Sequence, residues 1–153
     1  MRAVALYTSG FVLTAILCWS SLLSSISLVQ TSGLPSGDIK PTSGGTLDVK
    51  LEPIPSPIES GQETNYKVTF LQKGTGTIQV HVDYDFIILK DNTTEVFRAS
   101  QQTGQPLLHT AEGIVTIPFR LEDPGSYTIR VPVMGINFIP MATENADFHV
   151  NVE

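Results

Sequence analysis

The stretch HVDYDFIILK, residues 81–90, places one imidazole and two carboxylates at alternate positions, in His81, Asp83 and Asp85. Both groups bind divalent metal ions, so the first question is whether the stretch forms a metal site. On an extended strand, residues two apart lie roughly 6.6–6.8 Å apart on one face. Three groups in a line at that spacing do not converge on one ion, whose ligand distances are about 2.0–2.2 Å. The spacing therefore favours the solvated face of a β-strand.

The alternative to a solvated strand face is a metal site assembled from distant residues. Such a site would be a copper site with histidine ligands alone or with histidine and methionine ligands. The last strand, which carries His149, is expected to lie two strand spacings, roughly 9.6 Å, from the strand of His81, which is too wide for one ion. A cupredoxin-type copper site needs a thiolate, and the sole cysteine, Cys18, lies in an apolar leader. A His-only or His–Met copper site stays open. The candidate ligands are His81, His109 in a predicted loop, His149 on the last strand, Met134 and Met141.

No catalytic motif accompanies these residues. The sequence contains no G-x-S-x-G, H-E-x-x-H or P-loop pattern. Adjacent Glu122 and Asp123 point apart on a strand, so they do not form a pair. The sequence predicts a protein that is not an enzyme and has no cofactor. A formal net charge of −6 argues against a nucleic-acid partner and against docking on anionic lipid through surface charge.

The amino-terminal residues have the composition of a membrane segment. Residues 3–37 contain no charged side chain, and FVLTAILCWSSLLSSISLV, residues 11–29, is a nearly continuous apolar run behind Arg2. A run of about 20 such residues is long enough to cross a bilayer as a helix. Residues 1–29 are predicted to be either a cleaved signal peptide or an uncleaved amino-terminal anchor. Both place the rest of the chain outside the cytoplasm. A buried core helix is disfavoured because no polar face interrupts the run.

The next segment, QTSGLPSGDIKPTSGG, is predicted to be a flexible linker over residues 30–45, because Gly, Ser, Thr and Pro dominate it. From residue 46 onward, apolar residues recur at every second position, which is typical of β-strands. The segments are residues 46–52, 65–71, 77–89, 95–100, 114–121, 126–136 and 146–153. The prediction is an all-β domain over residues 46–153, a seven-stranded antiparallel β-sandwich preceded by one apolar amino-terminal helix.

The third segment determines how the opening stretch is interpreted. Its alternation predicts that Ile78, Val80, Val82, Tyr84 and Phe86 face the core. Gln79 and the three residues His81, Asp83 and Asp85 then face solvent, within reach of Arg130 on the sixth strand.

Two phrases carry a resemblance to known domains. DPGSYTIRV, residues 123–131, resembles the start of strand F in immunoglobulin-like and fibronectin-type-III-like domains, where a tyrosine packs near the corner. LEPIPSPIESGQETNYKVTF resembles the passage from strand A to strand B of such modules in prokaryotic surface proteins. With GQPLLHTAEG and GINFIP, the chain is also similar to small immunoglobulin-like extracytoplasmic proteins of ammonia-oxidising archaea. The cysteine pair and core tryptophan of antibody domains are missing from this sequence.

Two surface features complete the prediction. The triplet Asn92-Thr93-Thr94 is a glycosylation acceptor on a predicted hairpin tip. The apolar segment 134–146 is predicted to be a loop that either caps the sheets or contacts a partner. Its contact candidates are Met134, Ile136, Phe138, Ile139 and Met141.

Together these observations predict an extracytoplasmic binding or structural module, secreted or tethered to the cell membrane through an uncleaved helix. It is expected to be an accessory component of a cell-surface or membrane protein assembly, with protein partners at the membrane. The alternative is an extracytoplasmic copper-handling protein auxiliary to a membrane metalloenzyme. A carbohydrate-binding module is a third interpretation, but its usual exposed aromatic residues are missing.

Overall fold

The computed structural model describes residues 37–153, which form ten β-strands and one short helix. In order these are β1 (Asp38–Pro41), β2 (Leu47–Ile54), β3 (Glu63–Gln72), β4 (Val82–Tyr84), β5 (Ile87–Lys90), β6 (Thr94–Arg98), α1 (Ala99–Thr103), β7 (Leu108–Thr110), β8 (Ile114–Arg120), β9 (Gly125–Ile136) and β10 (Ile139–Val152). The all-β prediction is confirmed, whereas the number of strands differs from the seven expected. The predicted leader 1–29, its helix and Cys18 lie outside the described residues.

The strands form two antiparallel sheets. The first has the order β1-β2-β3-β8. In the second, β9 pairs with β10, β5 and β4, while β6 pairs with β5 and β7 pairs with β4. Aromatic contacts join the two sheets: the ring centroids of Tyr66 and Phe86 are 5.7 Å apart, and those of Phe70 and Tyr84 are 5.3 Å apart. Buried side chains of both sheets form one hydrophobic cluster, as period-two alternation requires. Within residues 37–153, no helix has the length and apolar character that a membrane crossing needs.

The described part of the predicted linker is ordered against the first sheet. Strand β1 pairs with β2, although it falls within residues 30–45. The carboxylate of Glu144 then accepts hydrogen bonds from the hydroxyl of Thr42 and from the backbone N–H (3.1 Å) and hydroxyl (2.6 Å) of Thr46. The two hydroxyl hydrogen bonds lower the pKa of Glu144. Residues 38–46 are therefore attached to both β2 and β10.

The predicted third strand crosses from one sheet to the other. Residues 77–79 run beside β3, where the N–H of Gln79 donates to the carbonyl of Phe70 at 2.9 Å. His81 then adopts a left-handed backbone conformation with φ 52°, and β4 of the second sheet begins at the next residue. A left-handed residue breaks the period-two alternation of an extended strand.

The break reverses the orientation of the preceding side chains. Ile78 and Val80 are 41% and 44% exposed, whereas Gln79 is buried. The prediction that Ile78 and Val80 face the core was therefore wrong, while Val82, Tyr84 and Phe86 are buried as predicted. The period-two pattern was extended across His81, but the chain turns there from one sheet to the other. Only the backbone geometry of His81 shows this turn.

A second interruption falls between β4 and β5, opposite Pro132. The carbonyl of Pro132 accepts a hydrogen bond from the N–H of Asp85 at 3.0 Å. The N–H and C=O of one strand residue point to the same neighbouring strand. Pro132 has no N–H, so it cannot donate a hydrogen bond to the segment that contains Asp85. The neighbouring strand accordingly stops at Tyr84 and resumes at Ile87.

Asp85 turns inward at this interruption and is only 3% exposed. Its carboxylate accepts hydrogen bonds from the N–H of Phe86 (2.8 Å), the N–H (3.0 Å) and hydroxyl (2.8 Å) of Ser100, and the guanidinium of Arg98 (3.0 Å). The prediction that Asp85 faces solvent was wrong. The expected partner Arg130 instead binds Asp147 on β10, at 2.8 and 2.7 Å.

The predicted apolar loop 134–146 is a hairpin. Strands β9 and β10 pair along their length and are joined by a two-residue turn at Asn137 and Phe138, with φ 52° and 64°. Positive φ at both central residues is typical of the type I′ turn, whose twist suits a hairpin. The loop prediction was wrong because residues 139–146 belong to β10, which has a bulge between Pro140 and Glu144.

Gly113 supports the segment that leads to His81, and its replacement tests this packing. A Cβ atom at Gly113, where φ is 73°, would lie 2.0 Å from the carbonyl oxygen of Gln79. Gly61 has the same φ and open space around it. We expect Gly61→Ala to reduce the free energy of unfolding by about 1–2 kcal/mol through the left-handed backbone alone. Gly113→Ala should cost clearly more, because a backbone segment must move. Urea unfolding of both variants measures the difference, and equal losses would contradict the packing assigned to Gly113.

Candidate metal site

His109 lies on a strand directly opposite Asp83. Strand β7 pairs with β4 in a register that places these two residues side by side. Opposite residues of an antiparallel pair have Cβ atoms about 4.5–5.5 Å apart, within reach of short side chains. Nδ1 of His109 accordingly lies 2.7 Å from Oδ1 of Asp83. The prediction that His109 lies in a loop was wrong, since it lies on β7. This strand is only three residues long, which is too short to give a periodic signal in the sequence.

The second histidine completes a chain of contacts. Nδ1 of His81 lies 3.5 Å from Nε2 of His109. A carboxylate accepts hydrogen bonds, so Nδ1 of His109 carries the proton and its Nε2 presents a lone pair towards His81. This is the tautomer that binds a metal through Nε2. The sequence did not fix the position of His109, and the structure places it beside His81.

The turn of the β9–β10 hairpin covers this pair. The ring centroid of Phe138 lies 4.6 Å from that of His81 and 5.3 Å from that of His109. The hairpin is attached at the same point, because the N–H of Asn137 donates to the carbonyl of His81 at 2.7 Å. His81, Asn137 and Phe138 all have positive φ. The turn type accounts for Asn137 and Phe138, whereas at His81 the left-handed conformation marks the crossing between sheets.

Gly135 provides the space that the carboxylate needs. It lies opposite Asp83 in the register between β4 and β9. A Cβ atom at this position would lie 2.4 Å from Oδ2 of Asp83. Any larger residue would therefore displace the group that orients His109.

The other candidate ligands lie elsewhere. Nδ1 of His149 contacts the hydroxyl of Thr128 at 2.9 Å, and that hydroxyl also contacts Asn92. Met141 packs against the hydrophobic core, and Met134 is half-buried on β9. Tyr84 is buried and burial raises its pKa to about 12, so its phenol stays protonated. Across residues 37–153, no three His, Cys, Asp or Glu side chains are grouped so that they could hold a metal ion. The protein donors are thus two imidazoles, with Asp83 behind one of them.

The distance between the two nitrogens defines the coordination that the pair can offer. With metal–nitrogen bonds of about 2.0–2.1 Å, a separation of 3.5 Å corresponds to a nitrogen–metal–nitrogen angle of roughly 113–122°. That angle suits a three- or four-coordinate ion. The remaining positions are open to an outside ligand.

The predicted contact residues fall into two groups. Phe138 and Ile139, at the tip of the hairpin, are 68% and 69% exposed. Met134, Ile136 and Met141 are half-buried. Asn92 is exposed at the turn between β5 and β6, with φ 62°, and its glycosylation stays a prediction.

Comparisons with known proteins show distant structural likeness only. No family model matches the chain, and no curated protein matches it. Among solved structures, the soluble domain of PmoD from Methylocystis sp. (strain Rockwell) is similar at a TM-score of 0.47 and 14% identity, covering 73% of this chain and 96% of that one. This likeness is too distant to support a functional conclusion. The archaeal and immunoglobulin-like resemblance stays a prediction.

Proposed function

We propose that this domain binds one first-row transition metal ion between Nδ1 of His81 and Nε2 of His109. The observation that carries the proposal is the 3.5 Å separation of these two nitrogens. Imidazole is a preferred ligand of zinc, copper, nickel and iron. The carboxylate of Asp83 behind His109 repeats the carboxylate–histidine–metal arrangement that fixes a ligand's tautomer and orientation.

The open coordination positions favour holding and passing an ion over a structural role. Structural zinc sites are closed by four protein ligands, whereas this pair supplies two. The site is also at the surface, since the side chain of His109 is 34% exposed. We propose a metal-handling module of immunoglobulin-like topology on the extracytoplasmic side of the membrane, secreted or anchored by residues 1–29, with no catalytic activity of its own.

A second candidate function is binding of a protein partner at the hairpin tip. Phe138 and Ile139 are both more than two-thirds exposed, and exposed apolar side chains mark contact surfaces when they cluster. Phe138 also contacts both histidines. A partner that docks here would therefore meet the metal site, so the two functions are compatible.

Metal content tests the proposal. The untagged full-length protein is equilibrated with a slight excess of Zn²⁺ or copper, passed through a desalting column and analysed for metal and protein. We expect about one ion per chain in the wild type and none above background in the His81→Ala/His109→Ala double variant. Equal metal content in the two proteins would contradict the proposal, as would no stoichiometric metal in the wild type.

Asp83→Asn tests the orienting role of the carboxylate. We expect about 10–100-fold weaker metal binding, the usual cost of losing such a partner of a metal-bound histidine. Competition with a chromophoric chelator gives the dissociation constant. Asp147→Asn is the matched control, because it removes a carboxylate of the second sheet that binds Arg130 rather than a histidine. Equal affinities in the two variants would contradict the role assigned to Asp83.

A further inference from the structure

We infer that the ion bound by His81 and His109 is monovalent copper, and that Phe138 determines this preference. The inference rests on the proposed function. It adds the identity and charge of the ion and a residue that selects it.

The nitrogen separation disfavours tetragonal ions. Adjacent positions of a square-planar site, at about 2.0 Å from the metal, have nitrogens roughly 2.8 Å apart. Opposite positions of the same site have nitrogens roughly 4.0 Å apart. The observed separation of 3.5 Å matches neither value, so the pair does not suit the tetragonal arrangement of Cu²⁺ and Ni²⁺. Cu⁺ and Zn²⁺ have no such requirement and accept the trigonal or tetrahedral angle.

The charge and number of the donors separate Cu⁺ from Zn²⁺. Both protein ligands are neutral imidazoles, and the nearby carboxylate of Asp83 is engaged by His109. A divalent ion held by two neutral donors keeps most of its charge and needs further ligands, and zinc sites usually have at least three protein ligands. A monovalent ion of low coordination number needs fewer.

Phe138 limits what those further ligands can be. Its ring lies against both imidazoles, at 4.6 Å and 5.3 Å between centroids. An apolar wall at a metal site restricts water and raises the cost of charge, which penalises hydrated Zn²⁺ more than Cu⁺. The ring therefore favours the ion that does not depend on water.

The test compares Phe138→Ala with Ile139→Ala in the full-length protein. The two residues are adjacent and 68% and 69% exposed, so both variants remove a similar apolar group from the hairpin tip. Phe138→Gly is a second variant that suits the positive φ of this position. The dissociation constants of Cu⁺ (without oxygen, against a chromophoric competitor) and Zn²⁺ are measured in all four proteins.

We expect the wild type to bind Cu⁺ more tightly than Zn²⁺. Both Phe138 variants should bind Cu⁺ about tenfold more weakly, with Zn²⁺ binding unchanged or tighter, as expected for loss of an apolar wall. Ile139→Ala should leave both constants unchanged. Tighter Zn²⁺ than Cu⁺ binding in the wild type would overturn the inference and leave the proposed function standing. Equal effects at positions 138 and 139 would overturn the role of Phe138, and no binding of either ion would overturn the proposed function as well.

Discussion

Replacement of His109 by alanine is expected to weaken metal binding by at least about 100-fold, more than loss of a group that merely orients a ligand. His109 supplies one of the two nitrogens, and its Nε2 is held towards His81 by the hydrogen bond from its Nδ1 to Asp83. The variant keeps only the imidazole of His81 as a ligand. One nitrogen cannot hold the ion in the two-point arrangement that the pair provides. Chelator competition at fixed pH measures the change.

His149→Ala is the matched control for this prediction. His149 also lies on the second sheet and also has a polar partner, but that partner is the hydroxyl of Thr128. Its replacement should leave metal affinity unchanged. A comparable loss in both variants would show that binding does not depend on the histidine pair.

The second large effect concerns stability. Asp85→Ala is expected to lower the free energy of unfolding by about 3–5 kcal/mol, because it leaves several buried hydrogen-bond donors without an acceptor, at about 1–3 kcal/mol each. The carboxylate is almost completely buried and accepts four hydrogen bonds, two of them from backbone N–H groups. Its removal leaves the N–H of Phe86 and the N–H and hydroxyl of Ser100 without this acceptor in the protein interior. The partly exposed Arg98, in contrast, still binds Glu95. Urea unfolding followed by circular dichroism measures the change.

Asp147→Ala provides the comparison. Asp147 forms a two-point ion pair with Arg130, but both side chains are more than a third exposed. Solvent screens such pairs, and they contribute at most about 1 kcal/mol. If both variants lose the same stability, burial of Asp85 does not have the effect assigned to it.

Much of the fold is encoded in local alternation, and this part could be predicted. Leu47, Val49 and Leu51 are buried on one face of β2 as their spacing indicates. The start of β9 could also be predicted: the alternation placed a strand over residues 126–136, and β9 spans Gly125–Ile136.

The site could not be predicted, because three departures from regular strand geometry build it. The left-handed residue His81 turns the chain between sheets, β7 is too short for a periodic signal, and the turn at Asn137 and Phe138 lies within an apolar run that was interpreted as a loop. Only pairing between distant segments brings His109 beside Asp83. One signal was available: His81 and His109 are among only three histidines in the chain.

The proposed function requires that one ion bind both Nδ1 of His81 and Nε2 of His109. Long-range proton–nitrogen NMR of the imidazole rings, before and after addition of one equivalent of diamagnetic Cu⁺ or Zn²⁺, observes them directly. We predict that Nδ1 of His81 and Nε2 of His109 shift together, while Nδ1 of His109 keeps its proton and the ring of His149 is unchanged. Unchanged His81 and His109 nitrogens, or a shift confined to His149, would contradict the account.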